Sequence, residues 1–136
     1  MGLVAAQPDD PTLLDALGSA QVKLQQNAAA EATLTKAVAM RAGFHDDQAW
    51  GEAAGHLAFA ASKNNDPKMC LQALSARATV LPNSPTSLFL EATARDTLHQ
   101  NKEAAKAYRA FLAVADGKFP DQEFQARHRL VALEPK

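Results

Sequence analysis

Four histidines (His45, His56, His99 and His128) and one cysteine (Cys70) are the side chains in this sequence best suited to binding a metal or moving a proton. A metal site needs two or more converging ligands. The local cluster with the right residue types is His45-Asp46-Asp47. It falls where a helix should start, so capping by Asp46 or Asp47 is the preferred reading and ligation the alternative. His56 follows Glu52 by four positions, which puts both on one side of a helix and suggests a hydrogen bond rather than a zinc site. His99 reads as a loop residue, and His128, between Arg127 and Arg129, as part of an exposed face. Cys70 has Lys68 as its nearby basic group and lies on an apolar helical stripe, which makes it a small core residue before a nucleophile. The phosphate-cradling GxxxxGK pattern does not occur. No cofactor, metal or catalytic residue is expected.

Gly51 and Gly55 are spaced for close helix contact. Each costs about 1 kcal/mol relative to Ala inside a helix, so something must offset them. Tight packing of a neighbouring helix is preferred over approach of a ligand backbone.

The chain of 136 residues is long enough to bury its own core. Hydrophobic residues make up 47%, much of it Ala, with 21% charged and 6% aromatic, which favours a helical globular protein. A net charge of −1 and the lack of a basic stripe argue against nucleic acid as a partner. No apolar run approaches the ~18 residues of a membrane span. Val4-Ala5-Ala6 has the small-residue spacing of a signal cleavage site. Localisation therefore stays open between the cytoplasm and, if residues 1–6 are a trimmed signal stump, the periplasm or exterior.

Breakers divide the chain into seven helix-sized pieces with no alternating strand pattern. Asp10-Pro11, Asp66-Pro67 and Ser84-Pro85 are cap-and-proline starts, and Asp121 begins the last piece. The pieces pair, and the pairs are alike. In the first, Leu14 and Leu17-Gly18 precede Ala30, Leu34, Ala37 and Val38. In the third, Leu88 and Glu91-Ala92 precede Ala104, Tyr108, Phe111 and Leu112. Leu14 to Ala30 and Leu88 to Ala104 both span 16 residues. For the middle pair Trp50 is taken as the early apolar residue and Pro82 as the closing proline. Trp50 then lies 36 residues after Leu14 and 38 before Leu88, with "SKNN" as an insertion.

This pattern resembles the tetratricopeptide repeat, a helix–turn–helix unit of ~34 residues found in many bacterial proteins. The resemblance implies an all-α, right-handed superhelix of about three antiparallel helix pairs with a terminal capping helix. The expected organisation is a flexible residue 1–9 segment and a single domain over 10–136. Its repeats would span 10–43, 46–82 and 84–116, with the capping helix at 120–134. The family's first helices line a concave groove that holds peptides. Carried onto this chain, that face comprises Asp15, Ser19, Val22 and Lys23, then Gln48, Gly51, Gly55 and Phe59, then Phe89, Thr93, Asp96 and Thr97. The positions that grip a C-terminal carboxylate in one subset of the family hold Asp15, Ser19, Glu52, Thr86 and Leu90, none of them basic. Phe59 and Phe89 read first as core between repeats and second as groove anchors.

The resulting expectation is a non-catalytic module that binds an unknown protein or peptide. The alternatives are a structural, self-associating domain and, behind it, a metal-dependent enzyme using His45, Asp46, Asp47 or His56.

Overall fold

The computed structural model describes residues 10–134. The expectations about residues 1–9, a flexible start and a signal stump, lie outside them. The described residues form seven α-helices and no strand. In chain order these are α1 (Pro11–Lys23), α2 (Asn27–Ala39), α3 (Asp47–Lys63), α4 (Pro67–Ala78), α5 (Pro85–Thr97), α6 (Asn101–Ala115) and α7 (Pro120–Leu133). A 3-10 turn, Arg41–Gly43, follows α2. None of these helices is long and apolar enough to cross a membrane. The helices fall into two compact units, the first ending at Leu81 and the second beginning at Pro82.

The capping residues start the helices as their chemistry requires. The Asp10 carboxylate accepts from the Thr12 and Leu13 amides, with Pro11 in the first helical position. Asp46 Oδ1 accepts from the Ala49 amide at 2.8 Å, so it caps α3, and Asp66 caps α4 through the Met69 amide. At α5, Ser84 and Ser87 each accept from the other's backbone amide, a reciprocal capping box. Helix α7 starts one residue before Asp121, at Pro120. There the buried Glu123 side chain accepts from the Phe119 amide at 2.9 Å.

Within each pair the turn is built the same way. Gln25, Asn65 and His99 have φ of 61°, 57° and 61°, in the left-handed region. Each is followed by an amide that reaches back five residues. The Gln26, Asp66 and Gln100 N–H groups donate to the Gln21, Ala61 and Arg95 carbonyls at 2.8–2.9 Å. This wraps up the orphan carbonyls of the first helix and reverses the chain.

The three turns fix the repeat register and correct the alignment of the middle pair. They lie 40 and then 34 residues apart. Counting back from them, Gly18, Ala58 and Ala92 share one position, and Leu14, Ala54 and Leu88 another. Counting forward, Ala30, Cys70 and Ala104 coincide, as do Leu34, Leu74 and Tyr108. Ala58, Ala92, Ala30, Cys70 and Ala104 are all fully buried. Trp50 is therefore one helical turn ahead of the early apolar position. "SKNN" is not an insertion; Asn64-Asn65 is the standard turn. The added length lies at the start of α3, which has 17 residues against 13 in α1 and α5.

In the first unit α3 packs against both α2 and α4 and touches α1. That explains its unusually apolar surface, with Ala53, Ala54, Leu57, Ala58, Ala60 and Ala61 all buried. The helices approach closely. A Cβ on Gly18 would come within 2.4 Å of Leu34 Cγ, and one on Gly51 within 2.6 Å of Val80 Cγ2. In the second unit α6 packs on α5 and on α7. Its core gathers Ala92, Ala104, Tyr108, Phe111 and Ala126, with Leu88, Phe89 and Phe119 against them.

Candidate functional site: the first-helix faces

The repeat register gives each first helix an equivalent face. Asp15, Gly55 and Phe89 are equivalent on it, as are Ser19, Phe59 and Thr93. So are Val22, Ser62 and Asp96, and Lys23, Lys63 and Thr97. Ten of the twelve expected residues fall in these equivalent sets. Gln48 and Gly51 do not, because they were placed by Trp50. Gln48 is exposed at the start of α3, and Gly51 is buried against Val80 and Leu81. Ser62 and Lys63 belong to the face instead. The constant spacing of the left-handed turn residues was the sequence signal for them, and Gln, Asn and His in those turns hid it.

In the first unit the face is partly exposed and mixed in character. His56 Nδ1 lies 2.8 Å from Asp15 Oδ1, joining α3 to α1 across 41 residues of sequence. The partner is thus Asp15, not the expected Glu52, whose carboxylate receives the Gln48 amide at 3.5 Å. The hydrogen bond to Asp15 is the main cause holding the His56 imidazole above its ordinary pKa. Partial burial opposes it, and the charges of Asp15 and Glu52 reinforce it. Phe59 is 39% exposed, with Lys63 Nζ 5.4 Å from its ring centroid. Ser19 and Val22 are half-buried and Lys23 is exposed. Gly55 leaves room for the Arg77 side chain of α4, whose Cδ and Nε would lie 3.4 Å from a Cβ there.

In the second unit the equivalent face is occupied by the fold itself. Phe89 packs on Tyr108 and Phe111, with ring centroids 6.2 and 5.1 Å apart. It packs inside its own helix pair, rather than between repeats as the first of its two readings had it. Asp96 accepts Arg129 Nε and Nη2 at 2.7 and 2.9 Å and the Tyr108 hydroxyl at 3.0 Å. The Arg129 contact is the leading cause holding the Asp96 carboxyl below its usual range, and burial pushes the Tyr108 hydroxyl upward. This network pins α7 to α5. The Thr93 and Thr97 hydroxyls turn back onto carbonyls of their own helix.

Of the remaining titratable candidates, His45 is exposed beside the Asp46 cap, and most of the others hold structural positions. Asp46 is a cap, and Arg41 lies 3.9 Å over the Trp50 ring while also reaching Asp47. Trp50 Nε1 donates to the Val38 carbonyl at 2.9 Å. Cys70 is fully buried, and burial pushes its thiol up to about 12, far from a nucleophile. His99 forms its turn, and His128 is exposed and stacks on Phe124. Among the described residues no group of three or more His, Cys, Asp or Glu is placed to hold a metal.

Compared with known proteins, the chain matches no family model and no curated sequence.

Proposed function

We propose that this chain is a non-catalytic interaction module of the tetratricopeptide type that takes a peptide or protein segment on the first-helix face of α1 and α3. The observation that carries this reading is the threefold register: a small residue at Gly18, Ala58 and Ala92, a second at Ala30, Cys70 and Ala104, and one turn geometry between them. That is the steric pattern the repeat family uses to stack helix pairs and leave a first-helix face free. The contact surface would be Asp15, Ser19, Val22, Gly55, Phe59 and Lys63, with Phe59 as the aromatic anchor. Phe89, Thr93, Asp96 and Thr97 support their own unit and take no part.

The test uses random peptides displayed against the immobilised chain, with affinities of selected peptides measured by calorimetry. Phe59→Ala should weaken binding about tenfold or more, as loss of an aromatic anchor does, while Lys36→Glu on α2 should leave it unchanged. Binding that survives Phe59→Ala and Ser19→Glu but is lost with Lys36→Glu would move the site off this face.

Self-association is the second reading, favoured by one observation. Helix α7 exposes Phe124 and Val131, at 68% and 74%, on the same side as His128. Light scattering at high concentration, repeated with Phe124→Asp, separates the two. A dimer that dissociates in the variant supports self-association, and a monomer throughout removes it.

A further inference from the structure

The Asp15–His56 contact has a property that the groove reading does not require. It is the polar tie between the first helices of the two pairs in the first unit, and one of its partners titrates near neutrality. We propose that Asp15 and His56 form a pH-sensitive clamp between α1 and α3, tight in mildly acidic solution and loosened in alkaline solution.

The geometry carries the clamp. Nδ1 and Oδ1 are 2.8 Å apart, and the side chains are 49% and 22% exposed, so the pair is shielded on the Asp15 side. With Asp15 ionised, the Nδ1 proton must point at the carboxylate. The protonated imidazole therefore makes an ion-paired hydrogen bond, and the neutral one, in a single tautomer, a weaker bond in which only the acceptor is charged. The other charged groups around His56 reinforce or spare this arrangement. Glu52 on α3 adds favourable charge. Arg77 of α4 lies along Gly55, one residue before. On α2, Glu31 is hydrogen-bonded to Asn64 at the end of α3, and Lys36 is exposed.

The direction follows from linkage. The folded protein holds the His56 proton more tightly than the unfolded chain does. The charge-dependent part of the contribution is thus complete below the unfolded value of about 6.5 and is lost as pH rises through the higher folded value. A pair this exposed changes the folded-to-unfolded ratio by about twofold to fivefold.

The chain's single tryptophan, Trp50, lies in the first unit, so its fluorescence reports that unit's unfolding. Urea titrations at pH 5.5 and pH 8.5 would compare the full chain with Asp15→Asn, His56→Gln and the double variant. The coupling between the two substitutions should be about twofold to fivefold at pH 5.5 and clearly smaller at pH 8.5, where the neutral hydrogen-bond donor alone remains. The His56 imidazole titration, followed by NMR, should have a lower midpoint in Asp15→Asn. Equal coupling at the two pH values, or a midpoint that Asp15→Asn leaves unchanged, would overturn the clamp. The NMR readout holds even if one variant is too unstable for urea titration.

Discussion

The two units build the same kind of helix pair with different large side chains. In the first, helices come close because side chains are small: Gly18 lies under Leu34, Gly51 under Val80 and Leu81, and α3 buries six alanines and leucines along its length. In the second, small residues at Ala92, Ala104 and Ala126 are joined by packed rings, Phe89, Tyr108, Phe111 and Phe119. The polar ties differ likewise. Asp15–His56 spans a partly exposed face, whereas Asp96 is enclosed by Arg129 and Tyr108. The lesson is that equivalent positions in a repeat carry different duties. Phe59 stays exposed in the first unit, whereas Phe89 packs on rings and Asp96 is tied to Arg129 in the second.

The contrast predicts that removing atoms harms the second unit and adding atoms harms the first. The largest effect should be Phe111→Ala, since Phe111 is 1% exposed and sits between two aromatic rings. We expect a loss of about 3–5 kcal/mol, read from the near-ultraviolet circular dichroism of Tyr108 during urea unfolding. Next is Gly18→Val. Its Cβ would collide with Leu34, which is fully buried and cannot yield, so a loss of about 2–3 kcal/mol should appear in Trp50 fluorescence. A Gly18→Val protein as stable as the parent would break the comparison.

Asp96→Asn should cost about 1 kcal/mol at pH 7, because Arg129 is partly solvated but the Tyr108 hydroxyl keeps a partner. The folded carboxyl titrates below its ordinary value, so this stability is present above about pH 4 and lost as pH falls through the folded value. The gap between parent and variant should therefore narrow on acidification, which thermal melts at pH 7, 4 and 3 would record. The smallest effect is a gain. His99 holds a left-handed φ without the tolerance of glycine or asparagine, so His99→Gly should add up to about 1 kcal/mol, while Asn65→Gly should change little.

Much of this fold was legible because caps and small residues act locally. Asp10-Pro11, Asp66-Pro67 and Ser84-Pro85 start helices where the sequence indicated, since an oxygen acceptor followed by a proline serves few other purposes. Ala30, Leu34, Ala104 and Tyr108 are buried as their spacing implied. The middle pair is the least legible because its largest side chain, Trp50, does not occupy the equivalent position. Its ring in fact anchors the added turn of α3 to the Val38 carbonyl, and the true equivalent is Ala54, small because α3 is crowded on both sides. The candidate face was half legible for a similar reason. Phe59 and Phe89 lie on equivalent faces in sequence, and only their neighbours make one a surface ring and the other core. The Asp15–His56 pair was hidden by 41 intervening residues.

The added turn of α3 also bears on how this chain can change. Its repeats are 40 and 34 residues apart, and the longer one carries a tryptophan stacked by Arg41 and bonded to the preceding helix. The helix pairs are thus no longer interchangeable parts. Duplicating the third pair would copy a unit that ends in register, but duplicating the second would also copy a turn fitted to α2 alone. Growth of such an array by tandem copying should proceed through the 34-residue unit, leaving the first junction as a fixed joint.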